Sequence, residues 1–185
     1  MKKRDTIWYI CIILIIVFFI WGIIDYIFGN IDLAADRLYI ILISLLCIFT
    51  YKKLRISKTV VFLGLIPIFL HAWGNYNAVW FNIPFDHVLH FTAGVVIGMI
   101  FYNYLQLKHS KFTAAILALC ITAGIGSFLE IIEFIGYLIG GEGRGIFYYG
   151  AGDVGEWSNA IRDMIMNTFG AIAGIISSIF SKRVK

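Results

Sequence analysis

The feature that most constrains this chain is a series of long apolar runs separated by short polar segments. A helix needs roughly 20 predominantly apolar residues to cross a bilayer. Only 14% of the residues are charged, compared with about 25% in soluble domains, and the mean hydropathy is +0.88. We therefore predict an all-α polytopic membrane protein. Its six transmembrane helices should lie at about residues 7–28, 38–51, 59–73, 87–105, 112–139 and 159–180, and the short second span could extend back over Ala34–Arg37.

The basic residues flank these runs asymmetrically. If the N-terminus lies inside the cell, all but three of the 15 Lys and Arg residues fall in inner segments, the exceptions being Arg37, Arg144 and Arg162. Cytoplasmic loops carry such an excess of positive charge. We expect a multi-pass protein of the cell membrane with both termini in the cytoplasm. The basic clusters are too short and scattered for a nucleic-acid surface, so the expected partner is the lipid bilayer, and the oligomeric state stays open.

The chain is predicted to be a single membrane domain of two unequal parts. Residues 1–58 hold two spans that carry little polar content beyond Asp25, and we expect them to be peripheral, with an acidic turn at Gly29–Asp36 between them. Residues 59–185 hold four spans and most of the polar residues inside spans, and we expect them to form the core. The glycine-rich segment 140–158 is predicted to be an outer loop, acting either as a flap or as a connector.

Charged groups inside membrane spans are costly and tend to mark function. Three of the core spans carry polar pairs three or four residues apart, a spacing that places each pair on one helical face. The predicted topology puts all of them in the outer half of the membrane, so we expect one outward-facing polar site. A histidine at the outer end of the third span and an aspartate in the glycine-rich loop complete the set. The candidate ligand-binding residues are His71, Asp86, His90, Glu130, Glu133, Asp153, Asp163 and Asn167.

Glycines continue the polar faces of these three spans at four-residue intervals. Small residues at this spacing let helices in lipid approach one another closely. We therefore expect the last three spans to pack as one tight core. The glycines concerned are Gly94, Gly98, Gly126, Gly170 and Gly174.

Two chemistries suit this set of side chains. Asp, Glu and His are ligands for Zn²⁺, Mn²⁺ or Mg²⁺, and the candidate metal ligands are Asp86, His90, Glu133 and Asp163. A remaining carboxylate could then act as a general base, with Glu130, Glu133 and Asp163 as the catalytic candidates. Without a metal, the same groups would lock the helices together or hold a polar headgroup. The sequence therefore leaves open whether the protein is an enzyme.

At these residues the sequence resembles the VanZ-like membrane proteins and a related group of uncharacterised bacterial inner-membrane proteins. VanZ-like proteins have a Glu-x-x-Gln where this chain has Glu-x-x-Glu followed by an aromatic residue, a form more similar to the uncharacterised group. The resemblance implies a polytopic architecture with a shared outward polar cluster. VanZ-like proteins are associated with low-level resistance to glycopeptide antibiotics of the teicoplanin type. The residues that carry the resemblance are Asp86, His87, His90, Phe91, Glu130, Glu133, Phe134, Asp163, Asn167 and Gly170.

Three functions are consistent with these observations. The first is binding or modification of a lipid or cell-envelope headgroup at the outward-facing site. The second is a metal-dependent membrane hydrolase or transferase that acts on such a headgroup with Zn²⁺, Mn²⁺ or Mg²⁺. The third is a small transporter or a proton or ion relay, since carboxylate and histidine chains also carry protons.

Overall fold

The computed structural model describes residues 6–73, 79–80, 83–140 and 156–181, which form six helices and one very short strand pair. The two strands, β1 (Val79–Trp80) and β2 (Ile83–Pro84), pair antiparallel just before the fourth helix. The prediction of a helical membrane fold is confirmed for this part of the chain. The helices are α1 (Thr6–Ile27), α2 (Ile31–Thr50), α3 (Lys58–Trp73), α4 (Phe85–Leu105), α5 (Lys111–Gly140) and α6 (Glu156–Phe180).

Five of the helices, all except α3, are long and apolar enough to cross a membrane. Helix α3 has 16 residues, which at 1.5 Å per residue rise about 24 Å, less than the roughly 30 Å of a bilayer core. A transmembrane α3 therefore stays a prediction. Large apolar side chains such as Phe49 and Phe112 are exposed on the helix surfaces, as expected where helices face lipid rather than water.

Helix α2 begins earlier than the sequence indicated. The acidic turn expected at Gly29–Asp36 is wrong: the turn covers residues 28–30, with Gly29 at a φ of +80°, and the helix starts at Ile31. Arg37 can lie inside this helix because its charge is paired. Its Nε lies 3.1 Å from Asp25 Oδ2 on α1, and both side chains are buried. A charged segment that looks like the end of an apolar run is in fact the first part of the helix.

Helix α3 runs parallel to α1 along the bundle. Val61 packs against the buried cluster near the start of α1, whereas Leu65 packs against the cluster near its middle. Further along, the Phe69 ring lies 6.2 Å from the ring of Phe18, centroid to centroid. Helix α3 thus returns in the direction opposite to α2 and brings the chain to the start of α4.

The tightest helix pair is α4 with α6, and four glycines make this approach possible. A Cβ atom on Gly98 would lie 2.8 Å from the carbonyl oxygen of Ala171, and one on Gly174 would collide with the carbonyl oxygen of Val95. The predicted role of the glycines at this interface is confirmed, since any larger residue would push the two backbones apart. The glycines at the interface are Gly94, Gly98, Gly170 and Gly174.

Helix α5 closes a three-helix core by packing against both α4 and α6. Toward one end, Ala114 and Ala118 of α5 are fully buried with Tyr102 and Ile175. Toward the other end, a Cβ atom on Gly126 would lie 2.7 Å from Nδ2 of Asn167. This close approach brings the polar face of α5 up to the polar faces of α4 and α6.

Candidate functional site

The polar pairs of α4, α5 and α6 meet between the three helices, at one end of the core. They lie at the start of α4 and of α6 and in the second half of α5, which runs in the opposite direction. The structure thus brings together six of the eight candidate residues. We call this group the His90 cluster, and its members are Asp86, His90, Glu130, Glu133, Asp163 and Asn167.

The imidazole of His90 is the centre of the cluster, and its two nitrogens face different partners. Nε2 lies 3.5 Å from Asp86 Oδ1 on the same helix and 3.9 Å from Asp163 Oδ1 on α6. Nδ1 lies 3.0 Å from the side-chain nitrogen of Asn167 and 3.7 Å from Glu130 Oε1 on α5. One side chain therefore contacts groups from all three helices.

The cluster is buried, with one partly open side. Glu130, Glu133, Asp163 and Asn167 are each less than a tenth exposed, whereas the side chain of Asp86, in the first turn of α4, is 28% exposed. A small ligand could therefore approach past Asp86. The four deeper groups would contact it only after it had lost most of its water.

The charge of the cluster is strongly unbalanced. Four carboxyl groups surround one imidazole, and like charges repel strongly where the dielectric constant is low. Neither carboxylate oxygen of Glu130 has a hydrogen-bond partner among the residues that the structure describes, although both are buried. Leaving such a group without a partner costs free energy. The cluster is thus suited to taking up protons or a positively charged ligand.

Two sets of atoms in the cluster could hold a metal ion. One is Asp86, His90 and Asp163, and the other is His90, Glu130 and Glu133, with the ligand atoms of each set within 4.8 Å of one another. Carboxylates with one imidazole are a donor set that suits Zn²⁺ or Mn²⁺.

Two candidate residues cannot be placed in the cluster. His71 belongs to the last turn of α3, but its side chain lies outside the described residues, as does the whole of Asp153. His87, which the resemblance singled out, is buried at 4% exposure.

Sequence reasoning missed the polar contact that joins the first two helices. The ion pair of Asp25 with Arg37 is reinforced by the Trp21 ring, whose centroid lies 4.3 Å from the guanidinium carbon. A usable signal was present, since two opposite charges lie inside the apolar runs on either side of the turn, Asp25 near the end of α1 and Arg37 in the second turn of α2.

Fold and site together define a polytopic helical membrane protein with a buried acidic cluster in its core. The chain belongs to the family described as predicted membrane protein (DUF2238), whose model matches residues 6–183. Neither a curated protein nor a solved structure matches the chain. The family match supports the resemblance to the uncharacterised membrane proteins, and it does not support the VanZ-like assignment.

Proposed function

We propose that this protein binds the polar headgroup of a lipid or cell-envelope precursor at the His90 cluster, in the outer half of the cell membrane. The observation that carries the proposal is the meeting of four carboxyl groups from three helices around one imidazole. Buried carboxylates bind a positively charged group well, because the pair neutralises charge that is costly to bury. A headgroup amine meets this requirement directly, and an anionic headgroup meets it through a bridging cation.

Position in the bundle supports a membrane ligand over a soluble one. The cluster lies at one end of the core, and its most exposed member, Asp86, is in the first turn of α4. With both termini in the cytoplasm, this end of the core is the outer one, at the level of the outer-leaflet headgroups. This topology rests on the distribution of Lys and Arg and requires α3 to cross the membrane.

The experiment is native mass spectrometry of the purified protein with lipids that it retains. We expect retention of a lipid with an amine headgroup in the presence of a chelator, or retention of phosphatidylglycerol only when Mn²⁺ is added. The double variant Asp86→Asn with Asp163→Asn should weaken lipid binding by about tenfold or more in Kd, the equivalent of one lost charged hydrogen bond. His109→Ala, a change at an exposed position between α4 and α5, is the control. Equal retention by wild type and the double variant would contradict the proposal.

A metal-dependent hydrolase or transferase that acts on the same headgroup is the second candidate. The buried carboxylate of Glu130 favours it, since this group has no hydrogen-bond partner among the described residues and a bound ion would satisfy it. The ion would polarise the headgroup or lower the pKa of a bound water, and a carboxylate outside the metal shell would accept the proton. Release of product from an added lipid, lost when the metal is removed, would distinguish this candidate from simple binding.

A further inference from the structure

We propose that a divalent cation of the Zn²⁺ or Mn²⁺ class binds on the Nδ1 side of His90, held by His90, Glu130 and Glu133. This inference rests on the proposed function, since it identifies the cation through which an anionic headgroup would be bound. It also changes the ligand set expected from the sequence. Glu130 becomes a ligand, and Asp86 and Asp163 become positioning groups.

The burial of both Glu130 and Glu133 distinguishes the two sides of the imidazole. Both oxygens of Glu130 are buried and lack a hydrogen-bond partner among the described residues, and Oε1 faces His90 Nδ1 at 3.7 Å. A cation here would add a strong partner to a buried carboxylate whose contact with His90 is too long for a hydrogen bond. On the Nε2 side Asp163 is also fully buried, but Asp86 is 28% exposed, so one of the two carboxylates there is in contact with solvent.

The spacing of the two glutamates supports the same side. Glu130 and Glu133 are three residues apart on α5, so both project toward His90 from one helical face. Their carboxylate oxygens and a His90 nitrogen all lie within 4.8 Å of one another. Two carboxylates and one imidazole make a three-ligand set that leaves a coordination position open. A water or a phosphate oxygen of the headgroup would take that position.

The Nε2 side then supplies the groups that orient the ligand. A histidine that binds a metal almost always donates its other ring N–H to a carboxylate or carbonyl. Nε2 faces Asp86 Oδ1 at 3.5 Å, so Asp86 is the nearer carboxylate to accept that proton, and Asp163 Oδ1 lies further away at 3.9 Å. Asn167 lies 3.0 Å from Nδ1, and its amide could turn to present its oxygen to the ion.

The test is the metal content and affinity of the purified protein in detergent. Each variant is loaded with Mn²⁺ or Zn²⁺, passed through a desalting column and measured by elemental analysis. We expect one ion per wild-type chain and per His109→Ala chain, and no retained ion in Glu130→Gln or His90→Ala. Asp86→Asn should keep the ion with an affinity about 10–100-fold lower, the usual effect of a positioning group.

Each outcome has a distinct meaning. A wild type that binds no ion overturns the inference, as does an ion that Glu130→Gln keeps and Asp86→Asn loses, because that ion would lie on the Nε2 side. If Glu130→Gln does not fold, nitrogen hyperfine coupling of Mn²⁺ in the wild type decides whether His90 is a ligand, again with His90→Ala as reference. Lipid retention in the presence of a chelator is independent of these results. A metal-free protein that still retains an amine lipid would leave the proposed function standing without the metal.

Discussion

The side-chain amide of Asn167 lies 3.0 Å from Nδ1 of His90, joining α6 to α4 across 77 residues of sequence. Asn167 is 4% exposed, so this contact is made away from water. It lies beside the glycine contacts of the same helix pair, because a Cβ atom on Gly94 would collide with the backbone of Asn167. The close backbone contact of α4 with α6 and the contact between Asn167 and His90 therefore lie at the same level of the bundle.

Replacing Asn167 by alanine should remove this interhelical contact and destabilise the core. We expect the free energy of unfolding in detergent to fall by about 0.5–2 kcal/mol, the range for polar contacts between membrane helices. Thermal unfolding, compared with Thr168→Ala, measures the effect. Thr168 is a suitable control because its hydroxyl donates to the carbonyl of Met164 within its own helix. Equal melting temperatures of the two variants would show that the contact does not hold the helices together.

Replacing Gly174 by alanine should separate α4 from α6. The added methyl group would collide with the carbonyl of Val95, and relief of such overpacking typically costs about 1–3 kcal/mol. Gly124→Ala is the matched control, because a Cβ atom there meets nothing within 4 Å. That control should leave stability unchanged or raise it by up to about 1 kcal/mol through helix propensity. The prediction is contradicted if the two variants unfold at the same temperature.

Much of the site could be predicted because the helical periodicity of each span can be recognised from the sequence of that span alone. The four-residue spacing of Asp86 and His90, and of Asp163 and Asn167, already places each pair on one face of its helix. The glycine spacing identifies the faces that pack together, so the meeting of these pairs was accessible from the sequence. The orientation of the His90 ring was not, since it depends on helix rotation and side-chain rotamers that neighbouring helices decide together.

The start of α2 at Ile31 was predicted only in part, since an extension of the span back to Ala34 was an open alternative. Hydropathy treats each charged residue as if it stood alone, and Arg37 therefore looked like the boundary of an apolar run. In the structure its charge is compensated by Asp25 on α1, and the pair enters the helix interface as a unit. A prediction from one segment cannot include a partner that only the fold supplies.

The ion pair of Asp25 and Arg37 gives a prediction of non-additivity. Both side chains are at most a tenth exposed, and removal of one partner leaves an uncompensated buried charge, which typically costs about 3–5 kcal/mol. Arg37→Met should therefore be strongly destabilised. The double variant Asp25→Asn with Arg37→Met should be more stable than the single one, because no buried charge remains. Thermal unfolding of the wild type, the two single variants and the double variant measures the effect. If the losses of stability in the single variants simply add up in the double variant, the two side chains do not stabilise each other.

The topology of the bundle can be tested at two exposed loop positions on either side of α3 and α4. Lys53 follows α2 and His109 follows α4, and both are exposed. If α3 crosses the membrane, the two positions lie on the same side. If it does not, they lie on opposite sides. In a variant without Cys11, Cys47 and Cys120, single cysteines at these positions can be labelled with an impermeant maleimide.

We expect neither cysteine to be labelled in intact cells and both to be labelled after permeabilisation, because the Lys and Arg distribution places these loops inside. Asn30→Cys, in the exposed turn between α1 and α2, should be labelled in intact cells and serves as the outer reference. Helix α3 rises only about 24 Å at 1.5 Å per residue, but it runs parallel to α1 from Val61 to Phe69. Because α3 runs in the same direction as α1, it carries the chain toward the end of the bundle where Asn30 lies. Labelling of only one of Lys53→Cys and His109→Cys in intact cells would show that α3 does not span, and the N- and C-termini would then lie on opposite sides of the membrane.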